Sequence, residues 1–259
     1  MSIDTTMAAD DPVSALLRDM YGLHGKTVLV TGASKGIGEA AARACAAAGA
    51  RLIVTGRDAE RLQTTLASLH GDGHRLFAGD LSDAAVVQQL AADCGPVDGV
   101  VHSAGIRGLS PMKLVSEKFL REVMDINYLA PVMLTRHLLA RQSLKPGGSV
   151  IFLSSIAALT GTVGVGPYAG SKAALVGTLR PLALELARRK IRANALCPGL
   201  VETSLINEDK AWFEESRKRY PLGIGQPDDV ALACLYFLSD ASSKVTGQAF
   251  SMDGGVEFA

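Results

Sequence analysis

Apolar and polar positions along the chain fall into blocks that switch between strand-like and helix-like patterning. Lys26–Thr31 (KTVLVT) is a short β-branched run ending in glycines, and Lys35–Gly49 then reads as an alanine-rich helix. Arg51–Thr55 is a second such run, followed by a polar helix from about Asp58 to Leu69. The series continues with a strand around His74–Ala78, a helix at Asp83–Cys94, a strand at Val97–His102 and a long helical region to Arg141. A strand at Ser149–Ser154, a helix at Pro167–Arg189, a strand at Ile191–Cys197, a helix at Pro227–Ser239 and a last strand around Gln248–Met252 complete it. Seven strands alternating with helices predict an α/β fold with one doubly wound parallel sheet and helices on both faces. The strands are nearly continuous apolar runs, as expected when both faces are covered. Ligands of such sheets bind outside the carboxyl ends of the strands.

No linker or repeat interrupts residues 25–259, which read as one domain, and 259 residues suit one large α/β unit. Residues 1–24 form an N-terminal extension, where Asp11-Pro12 resembles an N-cap and N1 pair opening a short helix through Tyr21, and the extension is open to two readings, a docked helix or a frayed tail. Apolar residues make up 48% of the chain and charged residues 20%, enough apolar surface to build a core. Lys plus Arg and Asp plus Glu both number 26, so the charge balance points to neither nucleic acid nor an anionic membrane as partner. No run of eighteen apolar residues is present, and a membrane span is not expected. Met1–Asp11 carries three aspartates and no basic residue, unlike a secretory signal. Cys45, Cys94, Cys197 and Cys234 form no CxxC pair and read as buried small hydrophobes of a reducing, cytoplasmic protein. The five histidines show no metal-ligand spacing, and no metal is expected.

Two segments carry candidate chemistry. At the junction of the first strand and first long helix lies Thr31-Gly32-Ala33-Ser34-Lys35-Gly36-Ile37-Gly38. A helix N-terminus offers free N–H groups and a positive dipole end to a pyrophosphate, and glycines let the backbone approach it closely. The second segment is Tyr168-Ala-Gly-Ser-Lys172. Residues four apart share a helix face, so phenol and ammonium converge, and a cation beside a phenol favours phenolate. Ser155, thirteen residues before Tyr168, follows a strand's carboxyl end, where its hydroxyl can bond a carbonyl oxygen or simply cap a turn.

The order TGxxxGxG, Asn127, Ser155, Tyr168, Lys172 and Pro198-Gly199 resembles the classical short-chain dehydrogenase/reductase family over essentially Gly25–Gly255. That resemblance implies a Rossmann-like fold and a nicotinamide-dependent oxidoreductase acting on a carbonyl or alcohol. By position it implies that Tyr168 is the acid/base, that Lys172 lowers its pKa and holds the nicotinamide ribose, and that Ser155 binds the substrate oxygen. It further implies that Asn127 supports a water relay to the lysine and that Asp80-Leu81 contacts adenine. Pro198, Gly199 and Thr203 of the PGxxxT segment lie beside the carboxamide, and Asp253-Gly254-Gly255 is the terminal DGG. One departure is His102-Ser103-Ala104-Gly105, where the family has Asn-Asn-Ala-Gly. Ala104 and Gly105 keep the close approach to the cofactor ribose, and His102 reads as a structural histidine near the strand end.

NAD-type members place an acidic residue at the end of strand two. Here Gly56 stands at that point with Arg57 after it, and Lys35 precedes the second glycine of the turn. NADP(H) is therefore expected, the alternative being NAD-linked oxidation of a sugar, polyol or steroid alcohol. A non-catalytic dinucleotide sensor of this fold would be expected to lack Tyr168, Lys172 or Ser155. Many members of the family are ketoacyl-thioester reductases. Thr203–Tyr220 lies where the family keeps a mobile substrate lid, with Leu205, Ile206, Trp212 and Phe213 in it. Arg107 is open to two readings, a substrate-anion contact or a solvated loop arginine. The apolar stretches Ala231–Phe237 and Gln248–Met252, with the resemblance, lead to an expected homotetramer.

Overall fold

The computed structural model describes residues 12–203 and 215–256. Seven parallel strands lie in the order β3-β2-β1-β4-β5-β6-β7. They are β1 (Thr27–Thr31), β2 (Arg51–Gly56), β3 (Arg75–Ala78), β4 (Val97–His102), β5 (Leu144–Leu153), β6 (Arg192–Pro198) and β7 (Ala249–Met252). Helices α1 (Pro12–Tyr21), α2 (Gly36–Ala47), α3 (Ala59–Ala67), α4 (Ala84–Asp93), α5 (Glu117–Met124), α6 (Ala130–Ala140), α7 (Gly166–Leu186) and α8 (Pro227–Leu238) accompany them. The predicted doubly wound sheet is the observed one.

Register decides where the site can form. Thr31 pairs with His102, His102 with Phe152 and Leu153 with Leu196, so β1, β4, β5 and β6 end at one level. The crevice opens between β1 and β4, because the strand order runs outward from β1 to β3 on one side and from β4 to β7 on the other. One core layer packs small residues of α2 (Ala41, Cys45) against α8 (Ala231, Cys234). The other buries Leu175, Leu179, Ala183 and Leu186, one stripe of α7, with Leu134 and Leu138 of α6. All four cysteines are buried and unbridged, and burial pushes the Cys45 thiol up to about 12.

Three boundaries differ from the sequence expectation. The long helical region to Arg141 is broken, with a 3-10 turn at Met112–Leu114 and α5 starting only after Ser116, whose hydroxyl accepts the Phe119 N–H. A π-helical turn, Asp125–Leu129, then separates α5 from α6. Strand β5 begins at Leu144, because Lys145-Pro-Gly-Gly continues it across a register shift without apolar patterning. The extension does form a helix over Pro12–Tyr21, and its Tyr21 ring lies 6.4 Å from that of Tyr236.

Candidate active site

At the level carboxyl edge lies a cleft of about 990 Å³. Its first half is the turn between β1 and α2. Gly32 has φ +68°, and a Cβ there would lie 2.8 Å from the Ala104 backbone. A Cβ on Gly38 would strike the Gly32 carbonyl at 2.3 Å, so Gly38 serves helix–strand packing while Gly32, Ser34, Lys35, Gly36 and Ile37 line the cleft. No side chain caps the first turn of α2, which leaves its N–H groups available to an anion. Backbone that only glycine permits, beside an uncapped helix start, fits the pyrophosphate of a dinucleotide.

Thr203 comes to this turn from far along the chain: a Cβ on Gly36 would meet its methyl group at 3.3 Å. Leu81 is buried in the cleft wall beside Gly79, whereas the Asp80 carboxylate turns to the Ser82 N–H (3.0 Å) and hydroxyl (2.8 Å). Those bonds, and more weakly Arg57, hold Asp80 below the usual carboxylate range. Gly56 and Arg57 line the same end of the cleft as Lys35.

The other half gathers Ser155, Tyr168 and Lys172. Ser155 follows β5 and caps a 3-10 turn, its Oγ accepting the Ala157 N–H (3.2 Å). Tyr168 stands in the first turn of α7, within hydrogen-bonding reach of Ser155. Lys172, one turn later, is buried; its Nζ lies 5.8 Å from the Tyr168 ring centre and donates to the Leu153 carbonyl at 2.7 Å. Burial pushes this ammonium down to about 8. Dense surroundings push the phenol above its usual value, and it is Ser155 and Arg107 that pull it back. One of the three ammonium donors of Lys172 is thus engaged at the end of β5.

Asn127 occupies the π-helical turn, a deformation that recurs at functional sites because it re-aims one side chain. Its Oδ1 accepts the Ile106 N–H (2.8 Å), while Nδ2 donates to the Ile106 carbonyl and to Ser171 Oγ, each at 3.0 Å. It thereby ties the turn after β4 to α7. A Cβ on Gly105 would touch both Asn127 Oδ1 (2.9 Å) and Lys172 Nζ (3.4 Å). The missing side chain keeps a space open between them.

The His102-Ser103 departure finds its partners in the fold. The N–H groups of Ser103 and Ala104 both donate to Thr31 Oγ1 at 3.1 Å. His102 is 3% exposed and stacks on Phe152, ring centres 5.0 Å apart. Thr135 donates its hydroxyl to the Pro131 carbonyl (2.8 Å), so the imidazole donates from Nε2 to Thr135 (2.8 Å) and Nδ1 keeps a buried lone pair without a partner. Burial drives its pKa from 6.5 to about 3. His102 is neutral and structural. Below about pH 6.5 the unfolded chain gains this proton and the folded chain does not, so stability is intact above that pH and drains away as pH falls toward 3. From pH 7 to pH 5 the cost is about 2 kcal/mol. Urea unfolding of His102→Asn and the parent at both pH values should show the parent losing that much more; equal losses would refute the assignment.

Pro198 and Gly199 end β6 in the cleft wall. A Cβ on Gly199 would lie 2.8 Å from the Tyr220 ring, and the Tyr220 hydroxyl accepts the Leu200 N–H at 3.0 Å. Tyr220 closes the segment expected as a lid, whereas Leu109 and the Thr160–Val165 segment are lining residues that sequence reasoning missed, since nothing in their local pattern marks them. Leu205, Ile206, Trp212 and Phe213 lie outside the described residues. Among the described residues no group of three or more His, Cys, Asp or Glu is arranged to hold a metal, and no helix is long and apolar enough to cross a membrane.

Known proteins are similar to this chain in sequence and in fold. The family model described as enoyl-(acyl carrier protein) reductase matches residues 32–257. A 3-oxoacyl-(acyl-carrier-protein) reductase FabG of Rickettsia conorii is 33% identical over 92% of this chain and 99% of its own. A D-threitol dehydrogenase of Mycolicibacterium smegmatis is 35% identical over 91% of this chain and 94% of its own. A 5-keto-D-gluconate 5-reductase of Escherichia coli is 31% identical over 93% and 98%. The crystal structure of a dehydrogenase/reductase from Sinorhizobium meliloti 1021 superposes with a TM-score of 0.87 at 33% identity, covering 93% of this chain and 99% of that one. With the glycine turn, the tyrosine–lysine pair and the serine on one cleft, the chain belongs to the short-chain dehydrogenase/reductase family, nicotinamide-dependent oxidoreductases acting on carbonyl and alcohol groups.

Proposed function

We infer that residues 25–259 form a single catalytic unit that interconverts a ketone and a secondary alcohol with NADP(H), Tyr168 being the acid/base. The observation that carries this reading is the convergence of Ser155, Tyr168 and Lys172 on the cleft whose other half is the glycine turn. The cofactor, when bound, supplies or takes the hydride; everything else falls to the protein. Ser155 and Tyr168 hydrogen-bond the substrate oxygen and stabilise charge developing on it. Tyr168 gives its proton to that oxygen, and burial keeps the phenol protonated until then. Lys172 holds the ribose and, through the space beside Gly105, a water shared with Asn127 restores the proton. The cofactor is held by Gly32, Ser34, Lys35, Gly36, Ile37, Arg57, Leu81, Ala104, Gly105, Pro198, Gly199 and Thr203, all in the cleft wall. Asp80 acts from behind this wall by setting the turn. A steady-state assay with NADPH and an activated ketone should show turnover; none with any ketone or alcohol of a broad panel would favour a dinucleotide sensor.

The relatives include a thioester reductase, a polyol dehydrogenase and a keto-acid reductase, so their names do not converge on one substrate. The polyol enzyme keeps NAD-linked alcohol oxidation as the second reading. A cytoplasmic location agrees with four unbridged cysteines. We also infer a homotetramer: Leu232 on α8 and Phe250 on β7 are 61% and 50% exposed, apolar surface that symmetry mates would cover. Light scattering at micromolar concentration should give four chains, and a monomer would end this reading.

A further inference from the structure

Among the described residues of the cleft lining, charge is one-sided. They include Lys35, Arg57, Arg107, Lys172 and Arg219, and no aspartate or glutamate. The chain as a whole has equal numbers of cations and anions, 26 each, so this is local segregation. Lys35 and Arg57 belong to the glycine-turn end, but the two remaining arginines do not. Arg107 follows the Gly105 turn beyond β4 and is half-buried. A Cβ on the next residue, Gly108, would lie 3.4 Å from the Tyr168 backbone nitrogen, which places this turn against the start of α7. Arg107 also acts electrostatically on the Tyr168 phenol. Arg219 precedes Tyr220, the residue that holds Leu200 beyond β6. Arg107 thus comes from the chain after β4 and Arg219 from the chain beside the end of β6, the two strands that flank β5 and Ser155, and both line the cleft. Ile106, Leu109 and Pro111 line the wall beside Arg107. A cleft with apolar walls and one sign of charge concentrates its field on an incoming anion.

We propose that the substrate end of this cleft selects an anionic carbonyl or hydroxy compound, a short keto or hydroxy acid, whose carboxylate is held by Arg107 with Arg219 of the same cleft. The proposal rests on the carbonyl-reduction reading above and adds the substrate class to it. The guanidinium fork binds a carboxylate through two parallel N–H donors, which fixes orientation as well as position. Held in this way, the acid presents its carbonyl to Ser155 and Tyr168. A neutral ester of the same acid loses a charge-assisted contact, a difference of about tenfold to a hundredfold.

The test compares kcat/KM for a short keto acid and its methyl ester, with NADPH, in the parent, Arg107→Gln and an Arg107→Gln/Arg219→Gln double variant. Alongside it, calorimetry measures binding of the matching saturated acid, which has no carbonyl to reduce, to the cofactor-loaded protein. The parent should favour the acid by about tenfold or more. That ratio should fall in Arg107→Gln and approach one in the double variant, with the saturated acid losing affinity in step. Equal use of acid and ester by the parent, or a preference that survives in the double variant, overturns the proposal. Arginine-dependent binding of the saturated acid without turnover of any ketone would uphold the anion site and defeat the carbonyl-reduction reading. Turnover of the ester with no binding of the saturated acid would do the reverse.

Discussion

Tyr168→Phe is expected to lower kcat by about a hundredfold or more while leaving the fold and cofactor affinity nearly intact, the usual scale for a lost general acid. The ring of Tyr168 can be kept by phenylalanine, and the bond from Ser171 Oγ goes to the Tyr168 backbone carbonyl, which the substitution does not alter. Only the hydroxyl is lost, together with its contact to Ser155. Lys172→Ala should behave differently. It removes a buried ammonium bonded to the Leu153 carbonyl, and so should weaken cofactor binding as well as turnover. Single-turnover kinetics and cofactor titration on both variants separate the two roles. A Tyr168→Phe enzyme with near-parental rate would show that another group supplies the proton.

NADPH should be preferred to NADH by roughly ten- to a hundredfold in kcat/KM, the worth of one charge-assisted bond from arginine. Gly56 is buried beside the glycine turn, where a Cβ would lie 3.3 Å from Ser34 Oγ, and it presents no carboxylate to repel a 2′-phosphate. Arg57 and Lys35 are exposed at the same end of the cleft, where a 2′-phosphate meets a planar fork and a point charge. Arg57→Ala should therefore cost more of the preference than Lys35→Ala. The kcat/KM ratio for the two cofactors on one substrate measures this directly. Equal or better use of NADH by the parent would refute the NADP(H) assignment, and an unchanged ratio in both variants would remove these residues from the phosphate site.

Much of the fold was legible because it rests on local signals. Strand and helix periods, the glycine turn and the i, i+4 spacing of Tyr168 and Lys172 are read within one or two turns of chain, and the structure has them where expected. The breaks in the helical region before Arg141 were not legible. The sequence of Asp125–Leu129 carries no signal that distinguishes a π turn from an α turn, and Asn127 within it bonds Ile106 and Ser171 of distant segments. The same holds for Asp80, whose carboxylate is claimed by its neighbour Ser82.

From its sequence alone this protein's sheet, its order of elements and the identity of the chemical groups were determined, because backbone preference and hydrophobic period are properties of short stretches. Tertiary structure alone decided which groups meet and how burial sets their charge. It brought Thr203 to Gly36 and Tyr220 to Gly199, stacked His102 on Phe152 as a neutral ring, and turned the Lys172 ammonium to the end of β5. It also brought Arg107 and Arg219 to the cleft that holds Ser155, a concentration of charge invisible in a chain of zero net charge. Desolvation and through-space fields depend on neighbours brought together by strand register, and no local pattern encodes them.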